Sequence, residues 1–185
     1  MSILANQIKF GYSQIRRKGG GTVDQVDAPV AASVTIQKGD WLKLSGGLVT
    51  PALTKSAGSF VITGAVPGLY AVALGSITTN ASGVATDGSG RTTIPVGLLN
   101  DDTEIMVGIW NVAAGSALQS NVNVGTSYDF GVFMNAGSTA WGYMMGTTTG
   151  ANAPASLVEK SPESTSNEQY GFVWVKPIAA ARVGA

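Results

Sequence analysis

Short stretches in which apolar and polar residues alternate recur along the chain from Ser33 onwards. In Ser33–Gln37, Val34 and Ile36 are two residues apart and therefore share one face of an extended strand. Glu104–Val112 repeats this period of two over nine residues and is the strongest strand pattern in the chain. Further strand segments are predicted at Trp41–Leu44, Ser59–Thr63, Leu69–Leu74, Arg91–Leu99, Tyr128–Met134, Trp141–Met145 and Tyr170–Lys176.

Turn residues separate these segments. Lys38-Gly39-Asp40 and Ser45-Gly46-Gly47 lie between the first three predicted strands, which favours a three-stranded meander. No segment of about 12 residues has clear helical periodicity, although Pro154–Lys160 could form a turn or two of helix. We therefore expect an all-β fold: an antiparallel β-sandwich, a jelly roll or a small barrel.

Three features qualify this pattern. Leu69–Leu74 is apolar on both faces, which indicates a strand buried between layers. Pro95 lies inside a predicted strand and suggests an edge strand or a bulge, because proline cannot donate to a sheet ladder. Residues 76–90 and 147–169 are polar and are predicted to be long surface loops.

Residues 1–32 differ from the rest of the chain. Their apolar residues are sparse, and Arg16, Arg17 and Lys18 precede a run of three glycines. We expect residues 1–32 to form an extended N-terminal arm, either mobile or ordered on a neighbouring subunit, and residues 33–185 to form the β-rich domain. Lys18–Thr22 is interpreted as a flexible hinge.

Composition narrows the possible partners. Charged residues make up 12% of the chain, and the 11 basic and 11 acidic residues cancel. Binding to a phosphate backbone relies on an excess of Lys and Arg, so we expect no nucleic-acid partner. The most apolar window, 65–77, is interrupted by proline and glycine, so we also expect no membrane partner. We read no secretory signal and expect synthesis in a cytoplasm.

The residues needed for most catalytic and metal sites are missing from the sequence. The chain contains no histidine and no cysteine, which excludes Ser-His-Asp and Cys-His arrangements and the commonest metal ligands. The acidic stretch Asn100–Glu104 could hold calcium or supply catalytic carboxylates, but a polar turn is the better interpretation. Asp87–Arg91 lacks phosphate-loop spacing and is interpreted as a hairpin turn. We predict no enzymatic activity, no catalytic residue, no cofactor and no metal.

Four tryptophans are spread along the chain. We expect them to fill a core or a subunit interface, with a carbohydrate-binding platform as the alternative. They are Trp41, Trp110, Trp141 and Trp174.

Several stretches of strand and turn follow one another in a recognisable order. Residues 34–52 give a strand, a Lys-Gly-Asp turn, a short apolar strand, a Gly-Gly turn and Val-Thr-Pro-Ala. Gly64–Gly68, Thr93–Val96, Asp101–Ile105 and Asn123–Asp129 follow in sequence. Over residues 33–176 this order resembles the head decoration, or cement, proteins of tailed bacteriophages.

The resemblance implies a structural virion protein. Such proteins bind the outer surface of an expanded capsid, bridge neighbouring major capsid subunits and stabilise the head against DNA pressure. It also implies a homo-oligomer, with a trimer favoured and a dimer possible. Arg16, Arg17 and Lys18 are then candidates for contact with carboxylates of the major capsid protein. The alternative is a tail, fibre or glycan-binding β-module that recognises a host surface.

Overall fold

The computed structural model describes residues 14–53, 60–63, 68–109, 118–134, 141–149, 155–162 and 171–178. Within them the protein is almost entirely β, as predicted. The strands are β1 (Gln14–Arg17), β2 (Gln25–Pro29), β3 (Thr35–Ile36), β4 (Trp41–Ser45), β5 (Leu48–Pro51), β6 (Phe60–Thr63), β7 (Leu69–Ala73), β8 (Ile77–Thr78), β9 (Thr93–Leu98), β10 (Thr103–Ile109), β11 (Ser127–Met134), β12 (Trp141–Thr149), β13 (Ala155–Lys160) and β14 (Phe172–Pro177). One 3-10 turn spans Gln119–Asn121.

Five of these strands close into a barrel. β10 pairs with β12, β12 with β11, β11 with β13, β13 with β14, and β14 returns to β10. The β10–β12 pair is parallel and the other four are antiparallel. All seven residues of β10 are buried, including the polar residues Thr103 and Glu104. Closure provides hydrogen-bond partners for the backbone N–H and C=O groups that an open sheet would leave unpaired at its edges.

A second sheet, here called the N-terminal sheet, has the strand order β2-β9-β7-β4-β5, with every pair antiparallel. Its two outer strands approach each other where Val30 forms a parallel bridge with Val49, and Ala31 N donates to Val49 O at 3.1 Å. The two-stranded ribbon β3–β8 packs beside this sheet through Ile36 and Ile77.

One hydrophobic core joins the barrel to the N-terminal sheet. Trp41 and Val72 of the N-terminal sheet belong to the same buried cluster as Ile109, Phe130 and Val132 of the barrel. The Trp41 and Phe130 rings are stacked, with centroids 4.2 Å apart and planes inclined by 21°. The two units therefore pack as one body, although no described strand of one pairs with a strand of the other.

The predicted three-stranded meander is confirmed only for β4 and β5, which pair as an antiparallel hairpin, and is wrong for β3, which pairs with β8 and not with β4. The turn between β3 and β4 is tied to other groups. Gln37 N donates to Asp40 Oδ2 at 2.7 Å, and Gly39 N donates to Ala73 O at 2.8 Å. These bonds direct the chain from the ribbon into the N-terminal sheet instead of folding it back on β3.

Pro95 does not mark an edge strand, because β9 lies between β2 and β7. The last pair of the β7–β9 ladder is Ala73 and Val96, so the ladder stops one pair short of Pro95. Pro95 still accepts a hydrogen bond from Leu74 N at 2.9 Å through its carbonyl oxygen. An interior strand tolerates proline here because its missing N–H falls where the neighbouring strand has already ended.

Part of the predicted loop 147–169 is strand. β12 continues to Thr149, and Pro154–Lys160 contains β13 in place of the suggested turns of helix. The register of β13 against β14 shifts between Leu157 and Glu159, which is a β-bulge. The extra residue interrupts the period of two, so the sequence does not display the alternation that would have identified this strand.

The described part of the predicted N-terminal arm lies within the fold. β1 pairs with β10 of the barrel, and β2 pairs with β9 of the N-terminal sheet. Residues 1–13 lie outside the described residues. The division at residue 32 as a domain boundary stays a prediction.

The stacked pair Trp41 and Phe130 predicts cooperative unfolding. We expect Phe130→Leu to lower the free energy of unfolding by roughly 2 kcal/mol, because it removes ring area and the stack on Trp41. Urea denaturation followed by far-UV circular dichroism and tryptophan fluorescence measures this. The control Val124→Ala, at a side chain 59% exposed, should change it by less than about 0.5 kcal/mol. Two separate transitions in the unsubstituted protein would contradict a shared core.

Candidate functional site

The most elaborate side-chain cluster surrounds Arg16 of β1. Arg16 lies directly opposite Glu104 of β10, and its Nε donates to Glu104 Oε2 at 2.7 Å. One of its terminal amino groups also lies 2.7 Å from Glu104 Oε2 and donates to Glu159 Oε2 of β13. The guanidinium carbon is 3.8 Å from the centre of the Trp174 ring of β14. These four residues are called the Arg16 cluster.

Burial makes Arg16 necessary at this position. Glu104 is 4% exposed, on a strand buried along its whole length. A buried carboxylate is costly unless a cation and hydrogen bonds compensate it. Trp174 adds an aromatic face to which a guanidinium is attracted. The Arg16 cluster therefore fixes β1 to three strands of the barrel at once.

The protonation of Arg16 is secured by the two carboxylates. Partial burial acts to lower the pKa of Arg16, but hydrogen bonds to Glu159 and Glu104 outweigh that effect and raise the pKa above its ordinary value. The guanidinium is therefore charged at physiological pH. Its strength as an anchor depends on whether the carboxylates are ionised.

The structure places the three predicted contact residues in different surroundings. Arg16 is bound within the chain. An amino nitrogen of Arg17 lies 3.8 Å from Asp24 Oδ2, with both side chains substantially exposed. Lys18 is exposed, and its backbone N donates to Asp102 O at 2.6 Å. Arg17 and Lys18 therefore lie at the surface beside β1, whereas Arg16 is committed to Glu104 and Glu159.

The glycine run after Lys18 forms a turn between β1 and β2. Gly19, Gly20 and Gly21 have φ values of 81°, 92° and 100°, in the left-handed region that favours glycine. Gly20 N donates to Arg17 O at 3.0 Å and closes the turn. Beside it lies an open cavity of about 470 Å³, whose lining includes Ile15 and Lys38. The predicted hinge is thus a defined turn in the structure.

The acidic stretch 100–104 forms a polar turn. Asn100 Oδ1 accepts hydrogen bonds from Asp102 N at 3.0 Å and from Thr103 Oγ1 at 2.8 Å. Glu104 points to Arg16 and not toward the other acids of the stretch. Among the described residues, no group of three or more acidic, histidine or cysteine side chains could hold a metal ion.

Asp87–Arg91 forms the expected turn around one carboxylate. Asp87 Oδ1 accepts from Ser89 N at 2.9 Å and from Ser89 Oγ at 2.5 Å, while Arg91 donates to Asp87 Oδ2 at 2.7 Å. The bonds from Ser89, and then that from Arg91, hold the pKa of Asp87 well below its ordinary value of 3.8. This exposed turn is locally ordered by its own side chains.

Two of the four tryptophans are described with their side chains, and both are buried. Trp41 is in the shared core, and Trp174 is 8% exposed beneath Arg16. The side chains of Trp110 and Trp141 lie outside the described residues. Trp174 therefore does two things: it packs in the barrel wall and receives the guanidinium of Arg16.

Sequence reasoning did not anticipate Glu159 and Trp174 as partners of Arg16. Glu159 is 143 residues from Arg16 in sequence and lies in a segment predicted to be a loop. Trp174 was expected in a core or an interface, without a cationic partner. No local pattern links such distant positions, because they meet only through closure of the barrel.

Comparison with protein-family models, with curated proteins and with solved structures finds no match to this chain. Across the described ranges, no helix has the length and apolar character needed to cross a membrane.

The Arg16 cluster predicts an asymmetry between neighbouring arginines. We expect Arg16→Met to lower the free energy of unfolding by about 3 kcal/mol, because Glu104 is left buried without its cation. Arg17→Met, which removes an exposed pair 3.8 Å long, should cost between about 0 and 1 kcal/mol. Chemical denaturation of both variants gives the comparison. Equal effects would show that Glu104 does not depend on Arg16.

A second prediction concerns protonation of the Asp87 turn. A carbon-detected NMR titration should place the midpoint for Asp87 well below 3.8, and Arg91→Gln should raise it. Because the folded-state pKa is depressed, stabilisation from this carboxylate is present above the unfolded-state pKa and declines as the pH falls through the folded-state value. An unshifted midpoint would contradict the observed hydrogen bonding.

Proposed function

We propose that this protein is a structural component of a phage head that binds the outside of the expanded capsid and bridges neighbouring major capsid subunits. The proposal begins from the order of strands and turns in the sequence. Residues 34–52 contain β3, β4 and β5, Thr93–Val96 lies in β9, and Asp101–Ile105 leads into β10. The described parts of these segments form strands and turns, although β3 pairs with β8 and not with β4, and residues 64–67 lie outside the described residues.

The observation that most supports this proposal is the single core shared by the barrel and the N-terminal sheet. A protein that resists expansion of a lattice has to transmit force between its contacts without deforming. Closely packed interiors have low compressibility. The stacked rings of Trp41 and Phe130 link the barrel to the N-terminal sheet through such an interior. Contacts on the two units would then act on one stiff body.

The exposed cations beside β1 give a candidate contact surface. Arg17 and Lys18 lie next to each other at the surface, and Arg16 is withdrawn into its own cluster. We therefore narrow the proposed capsid contact to Arg17 and Lys18. Individual exposed ion pairs contribute only about 0–1 kcal/mol each. Many copies acting around a closed shell would raise the total effect well above that of any one contact.

Co-sedimentation with undecorated phage heads tests the proposal. Purified protein is mixed with expanded heads, and separately with unexpanded heads, of the phage that encodes it. We expect saturable binding to expanded heads alone, at a fixed ratio to capsid subunits. Absence of binding to both head forms would contradict the proposal, and binding to host cells or glycans would then support the tail, fibre or glycan-binding alternative.

Two variants examine the contact surface in the same assay. Replacing Arg17 and Lys18 by Ser should weaken binding by up to roughly tenfold, with a reduced dependence on salt. The matched control Lys43→Ser removes an exposed cation from β4 of the N-terminal sheet and should leave binding unchanged. Equal loss in both variants would point to overall charge instead of this surface.

A further inference from the structure

The site that receives β1 is built almost entirely by other parts of the chain. Glu104, Glu159 and Trp174 provide two carboxylates and an aromatic face for one guanidinium. Next to them, Gly97 leaves room for the end of the Ile15 side chain, since a Cβ at this glycine would collide with Ile15 Cδ1. The site thus recognises an extended strand with an apolar residue followed by arginine.

This site is unfavourable when empty. Among the described residues, β12 pairs with β10 at Gly108 and Ile109, and the stretch Thr103–Met106 has β1 as its partner on that edge. Removal of β1 would expose an unpaired strand edge and leave Glu104 buried without its cation. A strand with an arginine opposite Glu104 is therefore required beside β10. That strand can come from the same copy of the chain or from a second copy.

The connection from β1 to the rest of the chain can reach a second molecule. Residues 18–24 link β1 to β2, and the three glycines in them make no contact at the Cβ position that would fix the turn sterically. When straightened, these seven residues span roughly 24 Å. The connection is closed chiefly by left-handed backbone angles and by the bond from Gly20 N to Arg17 O.

We infer that β1 is an exchangeable strand, and that Arg16 of one copy can occupy the Glu104, Glu159 and Trp174 site of a second copy. The contacts between β1 and the barrel are reproduced in the exchanged form, whereas the turn bond from Gly20 N to Arg17 O is lost, so exchange is governed by the glycine turn and by protein concentration. The partner that fits is a second copy of this chain, because the chain itself carries the matching strand Gln14–Arg17. Exchange of β1 does not depend on head binding.

Paired single-cysteine variants test this inference, since the natural chain has no cysteine. Lys18 and Asp102 lie opposite each other at the end of the β1–β10 ladder, where Lys18 N donates to Asp102 O. Directly opposed residues on antiparallel strands have the Cα separation that a disulfide needs. Lys18→Cys and Asp102→Cys proteins are unfolded in urea, refolded together at high concentration, oxidised and separated on a non-reducing gel.

We expect a disulfide-linked dimer of the two variants in clear excess over a control mixture. The control combines Lys18→Cys with Ser82→Cys, an exposed position in a turn that does not pair with β1. Equal yields from both mixtures would overturn the inference. A chain carrying both Lys18→Cys and Asp102→Cys, oxidised as a monomer, should no longer dimerise, and persistent dimerisation of this locked form would also overturn it.

The glycine turn supplies an independent measurement. Replacing Gly19, Gly20 and Gly21 by Ala strains the closed turn but not an extended connection, so the dimer share at equal concentration should rise roughly tenfold or more. Replacing Gly46 and Gly47 by Ala imposes comparable strain in the β4–β5 turn and should leave the dimer share unchanged. Light scattering after size-exclusion chromatography gives both values. An unchanged share in the first variant would contradict exchange, and if that variant does not fold, the cysteine experiment decides.

Discussion

The contact on which the architecture depends is the stack between Trp41 and Phe130. Each ring lies on a strand of a different sheet, and within the part of the chain that the structure describes no backbone ladder joins the two sheets. Side-chain packing therefore does most to hold the barrel and the N-terminal sheet in a fixed relation, with one hydrogen bond from Thr103 Oγ1 of β10 to Leu98 O of β9 at 3.1 Å. Trp41 is suited to this because it is fully buried and offers a large flat surface at little conformational cost. The surrounding aliphatic side chains exclude water from the contact and extend it into one core.

The sequence predicts strands well where one residue pattern continues without interruption. The segments that form β10 and β11 have apolar residues at every second position, and both strands lie where expected. Prediction fails at irregular positions. The bulge in β13 conceals a strand, and Pro95 suggests an edge that the early end of β7 makes unnecessary. The pairing of β3 could not be predicted either, because its partner depends on hydrogen bonds at the Lys38–Asp40 turn and not on proximity in sequence.

The candidate site could be predicted only in part, for a related reason. Arg16, Arg17 and Lys18 look equivalent in sequence, as three cations before a glycine run. Alternation along β1 separates them, because Arg16 lies opposite Glu104 and its neighbour Arg17 lies opposite Thr103. Closure of the barrel then brings Glu159 and Trp174 to Arg16 from 143 and 158 residues away. The sequence identifies three candidate cations, but only the strand topology shows that Arg16 points toward the buried Glu104.

A stiff body and an exchangeable strand are compatible because different interactions control them. The core around Trp41 and Phe130 lies inside the fold and does not include the Arg16 cluster, although Ile15 packs against its margin. Loss of β1 from its own barrel would therefore leave that core in place. Glu104 would then need the arginine of another strand as its partner. A neighbouring copy can satisfy this demand with the same residues, which makes the exchange nearly neutral in contacts. If copies bind side by side on a capsid as proposed, their high local concentration would favour linked copies over separate ones. The three glycines then have a physical role beyond forming a turn, since they determine how readily a rigid protein can join its neighbours.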